Sequence, residues 1–156
     1  MKKTKTRQNR PVSALDIAAY ILANHTDNKP ILAWKMHKLV YYCQAWSLAR
    51  DALPFFYEKI LATPKGIVIN ELCAQHYNEL YVGGSTIGNL NHLSLKQVDT
   101  IDYVMKVYGE KTVTELDELI RLELPWREAR GSVDLHQKAP VEVKLSVMSE
   151  FYGAQS

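Results

Sequence analysis

The chain has 156 residues, of which 47% are hydrophobic and 23% are charged, a composition typical of a folded domain and unlike that of a disordered chain. Its length suits one domain that buries a substantial hydrophobic core. Two cysteines are too few for a disulfide-rich scaffold, and no apolar run approaches the roughly 20 residues that a membrane-spanning helix needs. We therefore expect a cytoplasmic protein without membrane insertion.

Basic residues are concentrated at the start of the chain. The first ten residues hold no acid and five basic side chains, those of Lys2, Lys3, Lys5, Arg7 and Arg10. The chain has 19 basic and 17 acidic residues, so the remainder keeps 14 basic residues and a net charge of −3. This pattern predicts a basic, flexible arm over residues 1–12 and a folded domain over residues 13–153. Two interpretations stay open: the arm contacts nucleic acid or an acidic partner, or it is a solvated chain end.

The region after the arm is predicted to begin with two helices. Ser13 and Asp16 have the spacing of a capping box, and apolar residues then recur at helical spacing as far as His25. The next helix covers residues 33–50 and is apolar on nearly every side, which is typical of the central element of a bundle. Its main stripe consists of Met36, Leu39, Val40, Cys43 and Trp46.

The middle of the chain is predicted to contain one extended segment and a third helix. Residues 55–62 are aromatic and partly alternating, which favours a short strand. A turn over residues 63–66 follows. A stripe that includes Ile69, Cys73 and His76 then predicts a helix over residues 67–81.

Capping signals predict the later helices. The capping-box pairs are Ser94 with Gln97 and Thr112 with Glu115. Pro125 suits the first turn of a short helix, and Pro140 suits that of a last helix. The sequence therefore predicts a mostly α fold, a compact single-domain helical bundle around the central apolar helix (33–50), with at most a short strand or extended segment near 55–62.

The chemistry-bearing residues give little indication of a catalytic or metal site. Cys73 and His76 have the spacing of a metal pair, but a zinc site needs three or four protein ligands, and no second pair accompanies them. A packed cysteine and a hydrogen-bonded histidine are the favoured interpretation, which also applies to His25. A solvated helix face is the interpretation for the carboxylates of Glu115, Asp117, Glu118 and Glu123. We expect no enzyme activity, no metal and no cofactor.

Aromatic residues indicate a binding surface. The chain has nine tyrosines and three tryptophans, more than a small core needs. Four of them lie at element edges or off the main stripes: Tyr57, Tyr77, Tyr81 and Trp126. Tyr and Trp supply large contact areas at interfaces, so these four are candidate partner-binding residues. In the alternative interpretation they cover the ends of the bundle with their polar tips in water.

The segment KMHKLVYYCQAW, residues 35–46, closely resembles the signature helix of the Panacea, or SocA-like, antitoxin domain. That family typically shows a Lys-Leu-x-Lys-Leu-Leu-Tyr-Tyr-x-Gln-x-Trp-like run. The matching positions, which we interpret as mainly structural, are Lys38, Leu39, Tyr41, Tyr42, Gln44 and Trp46.

The resemblance extends over residues 14–152. Residues 14–22 resemble the opening helix of the family, and residues 53–55 resemble the link after the signature. The late Leu-x-x-Leu and Pro-Trp-x-x-Ala-Arg elements have counterparts in residues 116–119 and 125–130. One departure occurs before the third helix, where the family usually has Trp and then Tyr-Gly-Pro, whereas this chain has the sequence Thr63-Pro64-Lys65-Gly66.

The resemblance implies an antitoxin that neutralises a cognate protein toxin by direct binding, with relatives in phages and prophages. At least one branch of the family acts as an adaptor that delivers its toxin to a cellular protease, which is one alternative function for this chain. A nucleic-acid-binding regulator that uses the basic arm is another alternative.

Overall fold

The computed structural model describes residues 11–75, 79–83, 88–131 and 139–155. The helices are α1 (Ala14–Asn24), α2 (Ala33–Asp51), α3 (Asn70–Gln75), α4 (Leu95–Tyr108), α5 (Val113–Leu122), α6 (Leu124–Gly131) and α7 (Leu145–Gly153). The strands are β1 (Ile31–Leu32), β2 (Ile60–Thr63), β3 (Gly66–Ile69), β4 (Tyr81–Val82) and β5 (Val141–Glu142). The prediction of a mostly α fold is confirmed.

Helix α2 is the centre of the domain. Fourteen of its 19 residues are buried, and it packs against α1, α4, α5 and α7 on different sides. It ends where Ala52 adopts a left-handed φ of 56° and donates its N–H to the Leu48 carbonyl. The predicted central helix is therefore confirmed to within one residue. Neither α2 nor any other helix in the described residues is both long and apolar enough to cross a membrane.

Two small antiparallel sheets accompany the helices. One has the strand order β3-β2-β5, and the other consists of β1 and β4. The turn between β2 and β3 pairs Thr63 with Gly66, whose φ of 135° lies in a region that favours glycine. The pairing of β1 with β4 places Leu32, the residue before α2, opposite Tyr81.

The predicted helix over residues 67–81 is wrong at both ends. Its first residues belong to β3, the helix α3 covers only Asn70–Gln75, and Tyr81 belongs to β4. The segment Ile67-Val68-Ile69 consists of β-branched residues, which suit a strand, and its pairing with β2 accompanies the burial of Ile67 and Ile69. Pairing between strands therefore overrides the helical spacing of the apolar residues.

Two further boundaries differ from the prediction. The strand expected near residues 55–62 covers residues 60–63, because the N–H groups of residues 55 and 56 bond to a side chain of α2. After Pro140 the chain first forms β5, which pairs with β2, so the last helix begins only at Leu145.

The packing expected of Cys73 in the core is wrong, whereas the hydrogen bond expected of His25 is present. Cys73 is exposed on the short helix α3. His25 follows the last turn of α1, and its Nε2 atom lies 2.8 Å from Oδ1 of Asp102. Among the described residues, no three His, Cys, Asp or Glu side chains are grouped so that they could hold a metal ion. His76, the predicted companion of Cys73, lies outside the described residues.

The predicted capping boxes are confirmed. In each one, the side chain of the third helical residue accepts the N–H of the first residue of the box. The hydroxyls of Ser94 and Thr112 accept the N–H of that third residue, whereas the hydroxyl of Ser13 accepts the N–H of Leu15, the second helical residue. The pairs are Ser13 with Asp16, Ser94 with Gln97, and Thr112 with Glu115. These contacts satisfy N–H groups that have no partner within the helix, which explains where α1, α4 and α5 begin.

The buried side chain of Gln44 fixes the link that follows α2. Its Oε1 atom accepts the N–H of Phe55 at 2.6 Å and that of Phe56 at 3.2 Å. Its Nε2 atom donates to the Phe56 carbonyl at 2.8 Å. Both phenylalanines are buried, so one glutamine provides partners for three backbone groups that water does not reach.

We expect Gln44→Met to lower the free energy of unfolding by about 3 kcal/mol, because methionine fills a similar space but leaves these three backbone groups without a partner. Urea unfolding followed by circular dichroism measures the change. Gln155→Met, at an exposed position after α7, is the matched control and should change the free energy by less than about 0.5 kcal/mol. A loss below about 1 kcal/mol for Gln44→Met would contradict this account of the link.

Candidate protein-binding groove

A groove of about 420 Å³ opens beside the start of α2, and we name it the α2–α5 groove. Its lining residues are Leu32, Trp34, Lys38, Lys65, Leu80, Val113, Thr114 and Asp117. Two of its apolar side chains are strongly exposed, since Trp34 is 37% and Leu80 is 65% accessible. Tyr81, the residue after Leu80, is 54% exposed. The groove and its edge therefore concentrate large apolar side chains at the surface.

Helical spacing provides two walls of the groove. Trp34 and Lys38 are four residues apart in α2, so they lie on one face of the helix, one turn apart. Val113 and Asp117 have the same relation at the start of α5. The packing of α5 against α2 then brings these two faces together.

Strand pairing provides the remaining walls. The N–H of Ala33 donates to the Leu80 carbonyl at 2.9 Å, next to the pairing of β1 with β4. These contacts hold Leu80 beside the first turn of α2. The turn between β2 and β3 contributes Lys65, which is exposed at the edge of the groove.

Lys38 lies at the floor of the groove. Its side chain is only 2% exposed, and its Nζ atom is 5.4 Å from the centre of the Trp34 ring. The Oδ1 atom of Asp117 is 3.6 Å from Nζ, a distance that makes an ion pair but exceeds a normal hydrogen bond. Burial lowers the pKa of Lys38 below its ordinary value of 10.5, and the Asp117 carboxylate opposes this shift.

Asp117 is bound more closely by Arg121 than by Lys38. Its Oδ2 atom accepts a hydrogen bond from Arg121 Nε at 2.7 Å, and Arg121 Nη2 donates to the Pro64 carbonyl at 2.9 Å. This contact ties α5 to the turn between β2 and β3. Among the described residues, the Lys38 ammonium group therefore has two partners, the Asp117 carboxylate and the face of the Trp34 ring.

Gly66 leaves room for the Lys38 ammonium group. A Cβ atom at this position would stand 2.9 Å from Lys38 Nζ, 3.4 Å from Oδ1 of Asp117 and 3.7 Å from the Trp34 ring. The φ of 135° is a second reason for glycine, because residues with side chains rarely adopt it. The turn between β2 and β3 therefore helps to define the floor of the groove.

The structure separates the four aromatic residues that were predicted to bind a partner. Tyr81 is exposed and pairs with Leu32, a lining residue of the α2–α5 groove, whereas Tyr57, 72% exposed, lines a different concavity. Trp126 is buried, and the guanidinium group of Arg121 covers its ring at 4.6 Å from the centre. Trp126 therefore has little surface to offer a partner. Tyr77 and the five basic residues of the arm lie outside the described residues.

The signature residues of α2 have two kinds of surroundings. Five of them are buried in the core, namely Leu39, Tyr41, Tyr42, Gln44 and Trp46. Lys38 is buried as well, but it lines the groove. Sequence analysis missed Trp34 as a site residue, although its spacing from Lys38 places it on the same helix face. It also missed Leu80, which reaches the groove only through the pairing of β1 with β4.

A second polar cluster lies in the core around Glu123. Its Oε1 atom accepts the hydroxyl groups of Tyr42 at 2.8 Å and Tyr152 at 2.7 Å. Since Tyr152 gives its only hydroxyl proton to Glu123, Tyr41 is the donor in its 3.0 Å contact with Tyr152. Burial raises the pKa of Glu123 above its ordinary value of 4.5, and the two hydroxyl donors oppose the shift. The prediction that Glu123 belongs to a solvated face is therefore wrong.

The raised pKa of Glu123 predicts a pH-dependent effect of Glu123→Gln. The protonated carboxyl stabilises the folded state at low pH, and this stabilisation is lost as the pH rises through the folded-state pKa. Glutamine keeps an oxygen that accepts both hydroxyls and does not ionise. We expect the variant to gain stability relative to the wild type between pH 4.5 and pH 8, measured by urea unfolding at both values.

The control for this measurement is Glu118→Gln, which removes one carboxylate from an exposed position of α5. A Glu123→Gln effect that is the same at both pH values would contradict the raised pKa.

The surroundings of Lys38 predict that the fold does not need its charge. We expect Lys38→Met to raise the free energy of unfolding by about 1 kcal/mol, because methionine fills the space of the stem and removes a buried charge. Asp117 keeps its bond to Arg121 in this variant. Urea unfolding measures the change, with Lys65→Met at the exposed edge as the control. A loss of about 2 kcal/mol or more would show that the ion pair with Asp117 stabilises the fold.

The chain matches no protein-family model, no curated protein and no solved structure. Membership of the Panacea family therefore stays a prediction that rests on the residues of α2 and on the later sequence elements. The candidate site itself stands on the geometry of the α2–α5 groove: exposed apolar walls, a buried ammonium group at the floor and an exposed lysine at the edge.

Proposed function

We propose that this chain binds another protein through the α2–α5 groove and that it neutralises a cognate toxin in this way. The observation that carries the proposal is the exposure of Trp34 and Leu80 in the lining of one groove, with the exposed Tyr81 next to Leu80 in the chain. Apolar side chains exposed together mark interaction sites on folded domains, and Trp and Tyr are enriched among the residues that dominate binding energy. The resemblance of residues 35–46 to the Panacea signature supports a toxin as the partner.

The groove has the composition of the centre of an interface. Its apolar walls lose contact with water when a partner fills them, while Lys65 and Thr114 supply an exposed polar rim. A stable complex of standard size buries about 800 Å² on each partner, which is more than the groove alone provides. Tyr81 extends the apolar surface beyond Leu80, in the direction in which we expect the contact to continue.

The surroundings of the chemistry-bearing groups favour binding over covalent catalysis. The Cys43 thiol is completely buried, which raises its pKa and keeps it protonated. Glu123 is bound by two tyrosine hydroxyls in the core. In the groove, Asp117 is held by Arg121, so it is not a free general base for the Lys38 amine.

Inhibition and delivery to a protease differ in the fate of the toxin. Both functions need a surface that holds the toxin, and the α2–α5 groove serves either one. We favour inhibition because the groove by itself is sufficient for it, whereas an adaptor needs a second surface that engages the protease. The regulator that would use the basic arm depends on residues outside the described ones.

The proposal predicts that Leu80→Arg abolishes neutralisation. The toxin is sought among the products of the neighbouring genes, by inducible expression of each one with and without this chain. We expect the variant to weaken toxin binding at least tenfold and to restore growth arrest, because a charge replaces an apolar wall of the groove. Leu80 is 65% exposed, so the fold tolerates the change.

Leu95→Arg is the matched control, since Leu95 is 90% exposed and lies outside the groove. It should neutralise as well as the wild type. If no neighbouring product is both toxic alone and silenced by this chain, the antitoxin function is wrong. If Leu80→Arg neutralises normally, the groove is the wrong surface. A toxin half-life shortened by this chain would support the adaptor in place of the inhibitor.

A further inference from the structure

The Lys38 ammonium group is costly for the fold and is poorly compensated within it. A buried charge normally has both an ion partner and hydrogen bonds to its remaining donors. Among the described residues, the partners of Lys38 Nζ are the Asp117 carboxylate at 3.6 Å and the Trp34 ring at 5.4 Å, and neither contact is a normal hydrogen bond. The side chain is only 2% exposed but lines the groove, so a carboxylate that fills the groove can add the hydrogen bond that the ammonium group lacks.

The charges around the groove are unbalanced. Among the described lining residues Asp117 is the one acid, and this carboxylate is shared between Lys38 and Arg121, which lies behind the lining. Lys65 adds a further positive charge at the edge. Three cationic groups thus surround a single carboxylate, so the groove favours a ligand that brings a negative charge.

From these observations we infer that the α2–α5 groove recognises an acidic side chain of the partner protein, an Asp or Glu that lies next to a large apolar residue. The carboxylate binds Lys38 Nζ, and the apolar neighbour packs against Trp34, Leu80 and Val113. The inference deepens the proposed function and rests on it, because it specifies what the partner presents to the groove.

The form of the groove favours an acidic side chain over the carboxylate at the end of a chain. Capture of a chain end commonly uses a group of backbone N–H donors. Here the positive charge is offered by side chains, and the N–H of Ala33 is already bonded to the Leu80 carbonyl. A lysine also suits a single oxygen of a carboxylate, whereas an arginine would favour a bidentate contact.

Gly66 leaves room for the ammonium group at the floor of the groove. A side chain at this position would enter the space between Lys38, Asp117 and Trp34, where a Cβ atom would approach Nζ to 2.9 Å. A larger residue would therefore displace the ammonium group from the position at which we expect a carboxylate to meet it.

Two capped dipeptides test the inference on the full chain without knowledge of the toxin. Acetyl-Leu-Glu-amide and acetyl-Leu-Gln-amide have nearly the same shape and differ in one charge. We expect the glutamate peptide to shift the NMR signals of the Trp34 indole N–H and the Gly66 amide, with a dissociation constant in the millimolar range typical of such small ligands. It should bind about tenfold more tightly than the glutamine peptide, since a charge-assisted hydrogen bond is lost in the latter.

Lys38→Met should remove this preference, so that the two peptides bind equally weakly. Lys65→Met, the control at the edge of the groove, should weaken the glutamate peptide by less than about threefold, because exposed charges are screened by water and salt. Unfolding curves of both variants show whether they are folded at the temperature of the titration.

Three results would overturn the inference. The first is that the two peptides bind the wild type equally or not at all. The second is that the preference for glutamate survives in Lys38→Met. The third is that inorganic phosphate shifts the same signals and binds as tightly as the glutamate peptide. The last result would show a general anion site. The peptide titration tests only the inference, whereas the Leu80→Arg variant tests the proposed function. If the titration fails but Leu80→Arg still abolishes neutralisation, the inference is wrong and the proposed function stands.

Discussion

A helix that is buried on every side has to provide a partner for each polar group that it carries, because water does not reach them. Helix α2 meets this constraint through contacts with separate parts of the chain. Its polar contacts include those of Gln44 with residues 55–56, Trp46 with Tyr108, Tyr42 with Glu123, and His37 with the N–H of Ile69. Each contact fixes a neighbouring segment relative to α2, so the architecture depends on this one helix.

Lys38 is the position at which α2 departs from this pattern. The other polar groups stabilise the fold through hydrogen bonds, whereas the Lys38 charge is buried with an ion pair to Asp117 and the face of the Trp34 ring. Residues that lower the stability of the fold without a compensating contact are expected at functional sites. The location agrees with this interpretation, because the first two turns of α2 border a groove while its middle is enclosed by other helices.

Local signals in the sequence predicted most of the helices. The strands and the contacts of the site depend on residues that are far apart in the sequence. The apolar pattern of residues 33–50 and the three capping boxes depend on neighbours within a few positions, and they correspond to the structure. Ile69 belongs to a stripe with helical spacing that continues to Cys73, but residues 67–69 pair with β2 and bury Ile67 and Ile69. Glu123 follows an amphipathic helix and was therefore placed in solvent; only the tertiary fold brings Tyr42 and Tyr152 to it. For the same reason Leu80 could not be assigned to the site.

The turn between β2 and β3 is the segment in which this chain departs from the Panacea pattern, and the same turn borders the α2–α5 groove. This chain has Thr63-Pro64-Lys65-Gly66 where the Panacea resemblance leads one to expect a Trp and then Tyr-Gly-Pro. Three of these four residues act at the groove: the Pro64 carbonyl holds Arg121, Lys65 lines the edge, and Gly66 leaves room for the ammonium group. A bulky aromatic residue at this turn would change the shape and charge of the groove. The segment that departs most from the family is thus the one placed to determine which partner the groove accepts, while the signature residues around Gln44 maintain the fold.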